Sequence, residues 1–369
     1  MSNKQKHIII SGGGTGGHLF PALAIAQALK SLVPDINILF VGAKGKIEEK
    51  KVPAAGFKIE LLNITGFQRK LSFQNILFFF RLAASLLKSR WIISKFKPDV
   101  VVGVGGYASG PLLRVASWYK IPSLIQEQNS FPGITNRLLA GKVDKICVAY
   151  DGTERFFAPE KIIKTGNPVR ENILNNTVTR EEAATYFGLD SAKKTILCLG
   201  GSGGARTINE SIIKNLKTIV ESGVQLIWQT GNVYLEKSKI EADKILCKRI
   251  KVFDFITPMD LAYKLADVVI TRAGAATISE LCLIGKPAVL VPSPNVAEDH
   301  QTKNADALVS KHAALSVKDI DAIEHLIPVS LNLISDNAQC EIFAENIKKL
   351  ALPNSSKIIA SEILKLIKS

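Results

Sequence analysis

Short runs of β-branched apolar residues alternate with longer helical stretches along the whole chain, and the alternation is played out twice. In the first half HIIIS (residues 7–11), residues 37–41, 99–104, 122–127 and 145–150 read as strands, and a glycine turn followed by LFPALAIAQALK reads as the first helix. Past residues 161–170 the same grammar restarts, with strands expected at 195–200, 225–230, 250–255, 267–272 and 287–292. A strand that is apolar at every position must be covered on both faces, which a parallel sheet with crossover helices provides. Two such blocks of similar length predict an α/β protein of two Rossmann-like parallel-sheet domains facing across a cleft. The boundary is expected within residues 165–190, where Gly166, Pro168 and ENILNNTVTREE interrupt the periodicity. The first domain is accordingly placed at residues 1–168, joined by a C-terminal helix at 354–369, and the second at 169–353.

A chain of 369 residues can bury about three quarters of the surface it exposes when unfolded. It needs no disulfide staple. Its five cysteines are odd in number and widely spaced, with no CxxC pair, and read as reduced, mostly buried fillers of a cytosolic protein. Lys+Arg number 47 against 33 Asp+Glu, a net charge of +14 that favours anionic partners: nucleic acid, phosphorylated small molecules or an acidic membrane face. No arginine-rich tract or basic stripe interleaved with aromatics occurs, so nucleic acid is not expected as a partner. The first apolar run, Ile8-Ile9-Ile10, is too short for a secretory signal, and no uncharged stretch reaches the roughly 18 residues of a membrane span.

Four glycine-rich turns follow expected strands: GGGTGGH at 12–18, GVGGYASG at 103–110, GGSGGA at 200–205 and RAGAAT at 272–277. Glycine lets the backbone turn sharply and approach a ligand, and the helix behind it offers unpaired N–H groups to phosphate. One such turn is often a mere connector. Four, two in each half, point to phosphate binding. Gly12, Gly14 and Gly17 formally satisfy the dinucleotide fingerprint, but that reading needs an acid at the end of the second strand. Here the strand runs into FVGAK at 40–44 and no carboxylate follows until Glu48, which disfavours a nicotinamide cofactor. A P-loop fails because Gly17 is followed by His18.

His18 stands where a helix begins, and the helix dipole there favours a neutral imidazole, as a general base requires. The plainer alternative is a capping or cleft-lining histidine. Glu280 falls early in the helix behind Gly274, where it could take two ribose hydroxyls while Ala275–Thr277 N–H groups meet a diphosphate; alone, it reads as a first-turn carboxylate favoured by the dipole. Asp319-Ile-Asp321 has the form of a D-x-D metal motif, but in the polar context VKDIDAIEHL it is expected to be a solvated turn, and no metal site is expected.

Residues 69–97 read RKLSFQNILFFFRLAASLLKSRWIISKFK. Five apolar residues in a row, Ile76 to Phe80, go right round a helix at about 100° per step, so some of Phe78, Phe79 and Phe80 should lie outside the core. Arg69, Lys70, Arg81, Lys88, Arg90, Lys95 and Lys97 flank them, and Trp91 suits an interface. That combination predicts peripheral attachment to an anionic membrane surface; a core helix beside a dimer interface is the alternative.

Taken in order, GGTGGH (13–18), GGYASG (105–110), EQN (127–129), GNPVR (166–170), GGSGGA (200–205) and His300-Gln301 resemble the MurG family of GT-B glycosyltransferases, which act in bacterial peptidoglycan synthesis, and the resemblance covers nearly the whole chain. It implies an inverting, metal-independent transfer with no cofactor: the 4-hydroxyl of the muramoyl sugar of lipid I attacks the anomeric carbon of UDP-GlcNAc, giving lipid II and UDP at the cytoplasmic face of the membrane. The family's donor contacts fall on Thr15, Gly16, Gly17, Asn129, Arg170, Ser202, Ile256, Ala275, Ala276, Thr277, Ile278, Ser279, Glu280 and Gln301. Its proposed base falls on His18. Its acceptor contacts fall on Gly105, Gly106, Tyr107 and Glu127. Around residues 298–304 the sequence departs from some relatives, and only Gln301 is carried over there. The rivals are another UDP-sugar transferase of the same fold acting on a glycolipid, and a non-catalytic nucleotide-sugar sensor in which His18 is dispensable.

Overall fold

The structure, a computed structural model, describes residues 5–66, 73–169, 177–201, 203–296 and 299–367, with the backbone alone at 73–76. The chain divides into two compact units, Met1–Arg170 with Leu352–Ser369, and Glu171–Ala351.

Unit 1 is built on a seven-stranded sheet of β1 (His7–Ser11), β2 (Asn37–Ala43), β3 (Lys58–Leu62), β4 (Val100–Gly103), β5 (Ser123–Glu127), β6 (Lys145–Val148) and β7 (Ile162–Lys164). All neighbours are parallel, in the order β3-β2-β1-β4-β5-β6-β7. Between the strands run α1 (Gly16–Leu32), α2 (Glu48–Ala54), α3 (Phe73–Phe96), α4 (Ser109–Trp118) and α5 (Ile134–Leu139). The triple isoleucine of β1 explains why both faces are covered. Side chains alternate along a strand, so Ile8 and Ile10 pack with Ile25 and Leu29 of α1, and Ile9 packs on the opposite face with Leu112 and Val115 of α4 and Ile92 of α3. The closing helix Ser355–Leu366 joins the α1 side, burying Ile359, Ala360 and Ile363 in the same cluster as Ile8. Lys145 of β6 and Lys365 bracket its Glu362.

Unit 2 repeats the plan with β8 (Thr195–Leu199), β9 (Gln225–Gln229), β10 (Ile250–Phe253), β11 (Val268–Thr271), β12 (Ala288–Leu290) and β13 (Leu315–Ser316), all parallel in the order β10-β9-β8-β11-β12-β13. Ile196, Cys198, Trp228 and Ile270 form the centre of its core, and the buried Trp228 indole donates to Asn209 Oδ1 at 2.9 Å. Burial pushes the thiols of Cys147 and Cys282 up to about 12, so they stay protonated and act as apolar filling.

Three strands fall outside the ten that the sequence leads one to expect. They are β3, β7 and β13, and all three are edge strands, half-exposed and free to carry polar residues such as Lys58, Glu60 and Ser316. In each sheet the chain reverses its direction of travel between two neighbouring strands, β1 and β4 in unit 1, β8 and β11 in unit 2. Ligands of such sheets bind outside the carboxyl ends of the strands at this switch point. The four glycine turns lie behind these four strands.

Candidate functional site

In unit 1 the turns behind β1 and β4 are tied together through the end of β1. The Ser11 carbonyl accepts from Val104 N–H at 2.7 Å and from the Ser109 hydroxyl at 3.0 Å, while the Ser11 hydroxyl donates to Val41 O at 2.9 Å. Glu48, the carboxylate that arrives too late to meet a ribose, folds back beneath the first turn. It accepts from Gly14 N–H at 2.8 Å and Ala43 N–H at 2.9 Å and is 1% exposed. A buried carboxylate satisfied by two backbone donors is a strong local anchor. Removing it strands both donors. Glu48→Ala is therefore expected to cost about 2–4 kcal/mol, read as a lowered denaturation midpoint.

Thr15, Gly16 and Gly17 open α1 with Thr15 extended at the N-cap and no side-chain cap, so the first turn faces outward. His18 follows, half-buried, its Nδ1 2.9 Å from Gln128 Oε1. The ring packs against Gly105, at φ +95°, where a Cβ would lie 2.6 Å from Nδ1 and 2.8 Å from Cε1. Only glycine admits it there. Gly106 (φ +89°) approaches the first turn, and the half-exposed Tyr107 ring covers Gly66. Of the expected acceptor residues, Gly105 is the one the structure sets directly against the His18 ring. Glu127 is held by its own loop: at 1% exposure its carboxylate accepts from Asn129 N–H (2.9 Å), Asn129 Nδ2 (3.1 Å), Gly133 N–H (3.1 Å) and Asn136 Nδ2 (2.8 Å). With both oxygens occupied by its own loop, it shapes the 129–136 turn and Asn129 with it.

In unit 2 the turn behind β8 is fixed by Gly200 N–H to Gln229 O (3.0 Å) and by left-handed Gly204 (φ +80°) beside Gly231 (φ +78°). Behind β11 the helix Ala275–Ile284 begins from an extended Gly274. Ala275 and Ile278 are buried, Ala276, Thr277, Ser279 and Glu280 are half-buried, and the Ser279 hydroxyl donates back to Ala275 O at 2.9 Å. The Tyr263 hydroxyl donates to Glu280 Oε2 at 2.9 Å and so sets the direction of that carboxylate. Ile256 is buried and gives its N–H to Gln229 Oε1 (2.9 Å); Gln301 Oε1 accepts from Ser293 N–H (2.9 Å). Arg170 and Ser202, expected donor contacts, lie outside the described residues, as do Arg69 and Lys70 of the basic-apolar stretch.

Asp319 is not the solvated carboxylate its polar context suggested. It pairs with Arg272 at the end of β11, whose Nη1 also donates to Val291 O (3.2 Å) and Pro292 O (3.3 Å), and it accepts from the Thr207 hydroxyl (3.0 Å). The Asp319–Arg272 pair thus ties the helix Arg206–Lys214 that follows β8 to the loops behind β11 and β12. The sequence hid this because its partners lie far off in the chain. Glu48, Tyr263 and the amides Gln126, Gln128 and Asn167 were missed for the same reason. The one available signal was the polar cluster QEQN at the end of an otherwise apolar strand.

The amphipathic α3 presents Phe79 (63% exposed), Phe80 (70%), Leu87 and Trp91 outward, while Ile92 and Ile93 are buried. Lys95 Nζ sits 4.7 Å above the Trp91 ring. Among the described residues no helix is long and apolar enough to cross a membrane.

Comparison with known proteins gives the same picture over the full chain. The model of the glycosyltransferase family 28 N-terminal domain matches residues 8–148, and that of the glycosyltransferase family 28 C-terminal domain matches residues 195–360. A protein of Flavobacterium psychrophilum named UDP-N-acetylglucosamine--N-acetylmuramyl-(pentapeptide) pyrophosphoryl-undecaprenol N-acetylglucosamine transferase is 52% identical over 366 residues, 99% of each chain. A protein of the same name from Phocaeicola vulgatus is 54% identical over 360 residues, 97% of this chain and 96% of its own. The crystal structure of Acinetobacter baumannii MurG superposes with a TM-score of 0.78 at 29% identity, covering 98% of this chain and 99% of that one.

Proposed function

The chain belongs to glycosyltransferase family 28, and on that premise we propose that it transfers GlcNAc from UDP-GlcNAc to the muramoyl 4-hydroxyl of lipid I, forming lipid II and UDP. What carries the reading is the full-length identity of 52–54% to relatives named for this transfer. The fold is that of the GT-B enzymes, two Rossmann-like parallel-sheet domains.

The chemistry assigns separate work to each unit. In a single displacement the acceptor oxygen forms a bond to the anomeric carbon as the bond to the UDP oxygen breaks. The electron pair leaves with UDP and the hydroxyl proton goes to a base. His18 is that base, and the turns around Gly105, Gly106 and Tyr107 hold the acceptor. Helix starts are suited to the charge that gathers on the leaving diphosphate, and that of Ala275–Ile284 takes this role. Glu280, aimed by Tyr263, takes ribose hydroxyls, with Thr15–Gly17, Asn129, Arg170, Ser202, Ile256 and Gln301 completing the donor contacts. Purified protein given UDP-GlcNAc and a lipid I analogue should release UDP as disaccharide product forms. Binding of UDP-GlcNAc without turnover would leave a nucleotide-sugar sensor instead.

A lipid-borne acceptor also calls for a membrane-facing surface, and we assign it to the outer face of α3, on the cytoplasmic side. Its exposed Phe79, Phe80 and Trp91 beside Lys95 support peripheral attachment to anionic lipid. The double change Phe79→Ser/Phe80→Ser should weaken binding to anionic vesicles by about tenfold or more, about 1.4 kcal/mol, while transfer to a water-soluble acceptor analogue is retained. Vesicle sedimentation decides this, and equal binding would remove the membrane assignment.

A further inference from the structure

A row of side-chain amides runs from His18 into the interior of unit 1, and backbone groups fix the direction of each dipole. Asn167 Nδ2 donates to Gln128 O at 3.0 Å, so the other end of that amide, Oδ1, is the atom that accepts from Gln126 Nε2 at 3.0 Å. Gln126 consequently turns its Oε1 to Gln128 Nε2. Gln128 Nε2 also meets two backbone carbonyls, Val104 O at 2.9 Å and Gln126 O at 3.2 Å. A carbonyl oxygen can only accept, so the atom facing these oxygens is the amino end of Gln128. The end left for the imidazole is Oε1, an acceptor, 2.9 Å from Nδ1. Gln126 and Gln128 are buried (0% and 2% exposed), so no solvent competes for these bonds.

We infer that Gln128 is a positioning residue that holds neutral His18 in its Nδ1–H tautomer, leaving the lone pair on Nε2 for the acceptor hydroxyl's proton, an inference that rests on reading His18 as the base. An acceptor facing a ring nitrogen requires that nitrogen to carry the hydrogen. Gly105 packs on the Nδ1–Cε1 side of the ring, and Nε2 has no hydrogen-bond partner among the described residues. In water a neutral imidazole prefers the opposite tautomer, with the hydrogen on Nε2. A ring left to itself would therefore mostly offer the substrate hydroxyl a donor, which cannot take a proton. The amide row reverses that preference.

Nitrogen-15 NMR of histidine-labelled protein tests this, with the His18 signals identified by their loss in His18→Ala. The expected wild-type spectrum of the neutral ring has a protonated Nδ1 and an unprotonated Nε2. Gln128→Met keeps the volume and removes the acceptor. It should shift the ring to the Nε2–H form and lower kcat by about 10²-fold, with the KM for UDP-GlcNAc held. An Nε2–H tautomer in the wild type overturns the inference without recourse to any variant. So does a Gln128→Met protein that keeps both the wild-type tautomer and kcat. If the tautomer changes in Gln128→Met but neither that variant nor His18→Ala alters kcat, the tautomer assignment stands and the reading of His18 as base falls.

Discussion

The His18→Ala variant should transfer sugar about 10²- to 10⁴-fold more slowly than the wild type at saturating substrates, a loss of about 3–5 kcal/mol of transition-state stabilisation. The acceptor hydroxyl is a poor nucleophile while it keeps its proton, and the proton must leave as the new bond forms. The proposed role of His18 in taking that proton is supported by three features: its position in the first turn of α1, the glycine surface of Gly105 against its ring, and the amide of Gln128 at Nδ1. The ring is half-buried and makes a single side-chain hydrogen bond among the described residues, so thermal stability should change little. The measurement is UDP release with a lipid I analogue, with kcat and each KM determined separately. A drop in kcat with both KM values held marks an interaction made in the transition state. A kcat within about threefold of wild type, too small a change for a lost general base, would mean that the proton leaves by another route.

How much of this was legible in the sequence follows the range of the interactions involved. The inner strands could be read because double-sided burial leaves its mark on successive residues, as in Ile8-Ile9-Ile10, and the edge strand β10 could be read despite its Lys251. The glycine turns could be read because left-handed backbone and close approach are local demands that other residues meet poorly. The edge strands β3, β7 and β13 could not, since a half-covered strand tolerates Lys58 or Ser316. His18 was legible from its place before a helix, but not the groups that orient it. Gln128 lies 110 residues away from it, and Asn167 a further 39 from Gln128. Asp319 shows the same limit, since its local context is that of a surface turn and only its contact with Arg272 makes it a clasp. Local chemistry announces itself in local sequence; a partner brought in by the sheet order does not.

That contrast sharpens at the glycines, where the same residue type is required for different reasons. Gly106 has φ +89°, and a Cβ there would lie 2.5 Å from the carbonyl oxygen of Gly13. The obstacle is backbone and cannot swing away. It belongs to the turn anchored by Glu48 at Gly14 N–H, so it cannot yield without disturbing that bond. Gly45 has a similar φ of +74°, yet a Cβ there meets nothing within 4 Å. Gly45→Ala should therefore carry only the left-handed backbone cost, about 1–2 kcal/mol, and leave transfer unchanged. Gly106→Ala adds the clash to that cost. It should destabilise the fold by about 3 kcal/mol or more and push the two turns apart, lowering kcat/KM for the acceptor by about 10²-fold or more, the scale expected when reacting groups are misplaced by an ångström. Denaturation midpoints and acceptor kinetics of the two variants, measured side by side, separate strain from steric exclusion. If Gly106→Ala matched Gly45→Ala in both, the close approach of the two turns would not matter to acceptor binding, and the acceptor site would have to be sought elsewhere on unit 1.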